Sequence, residues 1–195
     1  MLDTHARKHI EPLFVGSAQL LLKWGLSANQ VTWLAFVIGI TTGAWLVIDQ
    51  VWLAVAALWL SGFLDAVDGS MARQTKTSAW GTVLDITFDR LVEISVIIGL
   101  AIRFPVAQLP LLLLSVSIIV SMTIFLTVGA LSEKQGVKSF YYQAGLAERT
   151  EGFLFFTAMM VWSKYLALIT MLFFIVEIFT ATQRLLEARR LLKPK

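Results

Sequence analysis

Six segments of about twenty mostly apolar residues follow one another along the chain, with only short polar connectors between them. They lie near residues 30–48, 51–73, 80–102, 107–131, 147–163 and 165–187. A run of that length is what an α-helix needs to cross the hydrocarbon of a bilayer, where every backbone N–H and C=O must be satisfied within the segment. The pattern predicts an all-α integral membrane protein with six spans. Hydrophobic residues make up 57% of the chain, above the share of about 45–50% in soluble domains. The 195 residues suit a single membrane domain over 1–195 and leave no room for a soluble one. The absence of cysteine excludes a disulfide scaffold and any thiolate nucleophile or metal ligand. No uninterrupted basic run suggests a nucleic-acid partner, and the N-terminal stretch does not read as a signal peptide.

Before the first span, residues 2–24 mix Arg7, Lys8, Glu11 and Lys23 with Leu13, Phe14, Leu20, Leu21 and Leu22. This predicts an amphipathic helix on the membrane surface, broken at Pro12. Basic residues are strongly asymmetric. The connectors after spans one, three and five carry only Arg103 and Lys164, whereas the other side of the membrane collects thirteen, with Arg90 left inside a span. By the positive-inside rule both termini face the cytoplasm. Trp24 and Trp80 then fall at the inner interface, Trp45, Trp52 and Trp162 at the outer one, and Trp59 is expected to pack.

Against this background, Asp65, Asp68, Asp85 and Asp89 are out of place. An ionised carboxylate in hydrocarbon costs several kcal/mol, and four close together repel one another. Asp65 lies about 21 Å in from the outer end of its span, and Asp85 and Asp89 lie roughly 8–14 Å in from the inner end of theirs. Two antiparallel helices thus bring all four to similar depth in the cytoplasmic half. Asp65, Asp68, Gly69, Ala72 and Arg73 fall within an arc of roughly 140°, and Gly81, Asp85 and Asp89 within roughly 80°. Facing arcs make an acidic pocket with small residues on its walls. Hard divalent cations want several carboxylate oxygens, and a pair of such ions forms a clamp for phosphoryl transfer. Gly69 and Ala72 leave space for a bulky group, and Arg73 supplies a fixed positive charge for a diphosphate. Internal pairing with Arg73 and Arg90 alone leaves a surplus of negative charge.

The run Asp65, Asp68, Gly69, Ala72, Arg73, Gly81, Asp85, Asp89 resembles the signature of the CDP-alcohol phosphotransferase (CDP-alcohol phosphatidyltransferase) family. The stretch around Asp85–Arg90 looks most like the phosphatidylinositol-phosphate synthase branch. The connector from Arg73 to Gly81 is shorter than the family's usual one, which shortens the turn. "SANQVT", Ser27–Thr32, is similar to the segment before the family's first span, with Ala28 in place of proline. The resemblance implies a membrane enzyme that moves a substituted phosphate from a CDP-linked lipid donor, CDP-diacylglycerol or an ether analogue, onto an acceptor alcohol with release of CMP. It implies two Mg²⁺ or Mn²⁺ ions held by Asp65, Asp68, Asp85 and Asp89, with Asp89 also the general base. Asp65, Asp68, Gly69, Ala72, Arg73, Gly81, Asn29 and Thr32 would line the CDP pocket. The six-span architecture matches the family, and a homodimer is implied; with the small size of the chain, the branch resemblance also implies the plasma (inner) membrane of a prokaryote.

Lys134, Lys138, Arg149 and Arg184 approach the same cytoplasmic mouth and are candidate acceptor-binding residues. Gly152 stands where sugar-phosphate-using members carry a second arginine, and "ALSEKQG" lacks their Lys-x-Arg pattern. The acceptor therefore stays open among glycerol phosphate, inositol phosphate, serine and other alcohols. Glu93, a turn beyond Asp89, either supports the site or pairs with Arg90. Glu177 is expected to find a polar partner within the bundle, and His5 and His9 to be surface residues. Two other functions explain the acids alone. An intramembrane prenyltransferase also binds a lipid diphosphate through aspartates, and a cation or proton transporter uses carboxylates as relays. Neither accounts for Gly69, Ala72, Arg73 and Gly81 together.

Overall fold

A computed structural model describes residues 2–131 and 149–192, with side chains from residue 10 onward. Seven helices hold nearly all of them: α1 Leu2–Lys23, α2 Ala28–Val47, α3 Val51–Gln74, α4 Ala79–Arg103, α5 Gln108–Leu131, α6 Arg149–Val161 and α7 Leu166–Leu191. No strand occurs among the described residues. The helices form two compact units, Thr4–Pro105 and, apart from the first three residues, Val106–Lys195.

In the first unit the helix boundaries follow local chemistry. α1 runs unbroken through Pro12, which corrects the expected break. It stops at Gly25, whose φ of 81° puts it in the left-handed region that glycine adopts freely. Ser27 caps α2 in a reciprocal box with Gln30: its hydroxyl accepts from the Gln30 N–H, and the Gln30 side chain accepts from the Ser27 N–H. The turn into α3 needs a left-handed residue, and Asp49 takes it with φ 64° while pairing with Arg103 at the end of α4. Ser78 caps α4, accepting from the Gly81 N–H at 2.9 Å.

α2 is the spine of this unit and packs along both α3 and α4. Glycine permits the approach. A Cβ on Gly39 would overlap Ser61 of α3 and lie 2.6 Å from Val92 of α4. One on Gly43 would overlap the Ser95 carbonyl, and one on Gly99 would stand 2.7 Å from the Gly43 carbonyl oxygen. Close backbone approach of this kind is how helices associate where lipid is as apolar as the side chains. α1 docks through Ala18 against Val31, Val67 and Met71.

In the second unit α5 and α7 pack lengthwise and α6 packs on α7. The Phe155 and Phe173 rings stack with centroids 4.6 Å apart, and Phe156 meets Phe173 edge-on. Ser117, Ser121, Thr170 and Thr180 are buried polar residues of this unit. Three of them donate to the backbone carbonyl three or four residues earlier, which lets a hydroxyl sit in an apolar interior.

Four described segments are long and apolar enough to cross a membrane: Ala28–Val47, Val51–Gln74, Pro105–Leu131 and Ser163–Leu191. α4 has the length, with 25 residues, but carries Asp85, Asp89, Arg90 and Glu93. α6 has 13 described residues, and the start expected for that span lies outside them. Trp24, Trp52, Trp80 and Trp162 are all exposed, as suits lipid-interface positions. Trp59 is 40% exposed.

Candidate metal centre

The motif helices are α3 and α4, joined by residues 75–78. α3 continues past the end of its apolar run because Thr75 closes it, its N–H donating to the Met71 and Ala72 carbonyls. The Ser78 cap then restarts the chain as α4 within one short turn. These two ends are what oppose the acidic residues.

Asp65, Asp68 and Asp85 each offer a carboxylate oxygen, and the three oxygens lie within 4.8 Å of one another. Asp68 is buried at 5% exposure, while Asp65 and Asp85 are half-buried. Asp89, one turn along α4, is half-buried and stands outside this tight group. An all-carboxylate set of hard oxygen donors fits Mg²⁺ or Mn²⁺ and does not suit a soft metal. Arg90 forms an ion pair with Glu93 at 2.6 Å.

The other motif residues gather around the same helix ends. Arg73 is exposed, and its Nη1 would lie 3.4 Å from a Cβ placed on Gly69, so the guanidinium folds back over the glycine one turn earlier. A Cβ on Gly81 would meet Ser78 Oγ at 3.0 Å and Asn29 Oδ1 at 3.2 Å. Asn29, from the start of α2, is thereby brought against the start of α4. Thr32 is buried and donates to the Ala28 carbonyl at 3.0 Å. Ala72 is half-buried.

Of the acceptor candidates, Lys134 and Lys138 lie outside the described residues. Arg149 opens α6 with its guanidinium 5.5 Å from the Phe153 ring centroid. Arg184 is 7% exposed, donates from Nη1 to Ser121 Oγ at 3.0 Å and sits 4.9 Å from the Phe125 ring centroid. Ser121 and Phe125 were not singled out from sequence. Their only signal there is an i, i+4 pair on one face of an apolar helix.

The sequence profile of the CDP-alcohol phosphatidyltransferases matches residues 26–183. The chain belongs to this family. It is therefore a phosphatidyltransferase, an enzyme of phospholipid synthesis. Among its family relatives, inner membrane protein YnjF of Escherichia coli is 32% identical over 164 residues, 80% of each chain. Archaetidylinositol phosphate synthase of Pyrococcus horikoshii is 37% identical over 83 residues, 42% of this chain and 44% of the relative. The phosphatidylinositol phosphate synthase of Mycobacterium tuberculosis, solved with CDP-DAG bound, superposes with a TM-score of 0.77. That likeness covers 94% of this chain and 98% of the other at 22% identity. The same mycobacterial enzyme in complex with manganese and citrate gives a TM-score of 0.74 at 24% identity, covering 90% of this chain and 88% of the other. At these identities the likeness is one of fold.

Proposed function

We propose that this phosphatidyltransferase takes a phosphatidyl group from CDP-diacylglycerol or an ether analogue and joins it to the hydroxyl of an acceptor alcohol. The acceptor oxygen forms a bond to the phosphorus that carries the lipid. The bond from that phosphorus to its bridging oxygen breaks, and CMP leaves. The observation that carries the reading is the group of Asp65, Asp68 and Asp85, whose oxygens lie within 4.8 Å of one another on the helices that also bear Gly69, Ala72, Arg73 and Gly81.

Asp65, Asp68, Asp85 and Asp89 hold two divalent ions, Mg²⁺ or Mn²⁺. When bound, such ions neutralise charge on the diphosphate and make the acceptor hydroxyl easier to deprotonate. Asp89 accepts the acceptor's proton; its position outside the tight group suits a carboxylate that keeps an oxygen for that task. Arg73 presents its guanidinium to the departing diphosphate. Gly69, Ala72 and Gly81 keep side chains out of the nucleotide's space, while Asn29 and Thr32 line its other wall.

Arg149 and Arg184, with Lys134 and Lys138, attract an anionic acceptor. The relatives named archaetidylinositol phosphate synthase and phosphatidylinositol phosphate synthase support that class. The chain works as a single membrane domain of six spans, with α1 at the interface and both termini and the active site cytoplasmic. The inner-membrane relative supports a prokaryotic plasma membrane. A homodimer is proposed with the rest of the family's architecture.

The test is product analysis. Purified protein with Mn²⁺ and CDP-diacylglycerol is offered glycerol 3-phosphate, inositol 1-phosphate or serine, and lipids are read by mass spectrometry. One acceptor should yield a phosphatidyl product with equimolar CMP. A prenyl transfer product, or no CMP release with any alcohol acceptor, counts against the proposal.

A further inference from the structure

α1 carries two apolar stripes where a helix that only lies on a membrane needs one. Ile10, Leu13 and Leu20 are exposed along one side, and exposed Trp24 follows just past the helix end. Phe14, Ala18, Leu21 and Leu22 form a second stripe, about a third of a turn round the helix. This second stripe packs into the protein. Ala18, Val67 and Met71 have no solvent exposure, and Val31 has 1%. The Phe14 ring centroid is 5.7 Å from that of Phe63 on α3.

These contacts fall on the segment of α3 that carries the acidic motif. Val67 and Met71 bracket Asp68 in sequence and lie on a face about a third of a turn from Asp65 and Asp68. Asp85 belongs to a different helix. A rotation or slide of α3 that relieves crowding at Val67 and Met71 therefore moves two carboxylates relative to the third. Metal sites tolerate little of this, since ligand distances hold within about 0.2 Å.

We propose that α1 is a positioning element for the metal centre: Ala18, with Phe14, fixes the rotation of α3 that brings Asp65 and Asp68 to Asp85. Ala18 touches no reacting atom and acts through Val67 and Met71. The small side chain is what the position requires. A larger one in a fully buried, well-packed site forces backbone shifts. This inference rests on the reading that the aspartates bind a divalent ion.

The experiment measures Mn²⁺ binding in the presence of CDP, with the full chain in lipid nanodiscs, beside metal-free thermal unfolding. Ala18→Leu should weaken Mn²⁺ binding by on the order of tenfold, as loss of a supporting shell does. Ala18→Val should shift it in the same direction by less, and Gln19→Ala, on the exposed side, should leave it unchanged. Combining Ala18→Leu with Met71→Ala, which returns the added volume, should recover most of the affinity. A purely structural role predicts lower unfolding temperatures with unchanged Mn²⁺ affinity in the folded variants, and that result overturns the proposal. Weakened binding that the double variant does not recover overturns it too. Wild-type protein that binds no Mn²⁺ removes the metal-centre reading itself, a failure visible before any variant is compared.

Discussion

Gly69 and Gly81 are both small, for different reasons. A methyl on Gly69 meets only the tip of the flexible Arg73 side chain, at ordinary contact distance. Nothing in the protein alone forbids it, and alanine favours a helix interior by about 1 kcal/mol over glycine. Gly69→Ala should therefore hold or raise the unfolding temperature while CDP binding falls; unchanged CDP affinity in a calorimetric titration removes Gly69 from the pocket. Gly81 is crowded from within by Ser78 Oγ and Asn29 Oδ1. Arg73 is exposed, so Arg73→Ala should cost donor binding about 1.5 kcal/mol, the lower end for a charged hydrogen bond and close to tenfold. Asp89→Asn separates the proposed base from the proposed metal shell. It keeps the volume and one oxygen ligand, so CDP and Mn²⁺ binding should survive while turnover falls by about 10²–10⁴-fold. Turnover near wild type would assign the proton to another group.

At the scale of the elements, α2 sets the geometry, because its glycines let α3 and α4 close on it from two sides. Gly43→Val would drive a branched side chain into the Ser95 backbone of α4, which cannot swing aside as a side chain tip can. A loss of about 1–3 kcal/mol is expected for such overpacking, read as a lower midpoint in denaturant. The helix ends were legible in the sequence because the short connectors at residues 49–50 and 75–78 interrupt the apolar runs: α3 and α4 begin and end within a residue or so of the predicted spans. The facing of Asp65 and Asp68 with Asp85 was legible for the same reason, since helical periodicity fixes an arc once the ends are known. The packing of α1 against α3 was not. The two stripes of α1 overlap in composition, and which stripe meets protein depends on Val67 and Met71, far away in sequence. Pro12 misled: it is the eleventh of the 22 residues of α1, where proline costs a backbone hydrogen bond, yet the helix runs on through it. The setting of Arg184 in Ser121 and Phe125 was hidden likewise, since it depends on how α5 and α7 pack.

Across the whole molecule, one division organises the chain. The acidic group, its glycines and Arg73 all belong to the unit Thr4–Pro105, whereas Arg149 and Arg184 belong to the other. In the proposed function, donor and metal chemistry belong to residues of the first unit and acceptor choice to residues of the second. Exchange of the acceptor half with that of a relative should change which alcohol is used while the dependence on CDP-diacylglycerol and metal persists, as product analysis of the chimaera would record. In the proposed reaction the carboxylates of α3 and α4 hold the divalent ions on which phosphatidyl transfer depends. Its most direct test is CMP release from CDP-diacylglycerol with the preferred acceptor, after exhaustive chelation and then across a Mn²⁺ titration, in wild type and Asp68→Ala. No release is expected after chelation, with saturable recovery in wild type and no recovery in Asp68→Ala. Full turnover without metal, or a wild-type Mn²⁺ response in Asp68→Ala, would contradict the proposal.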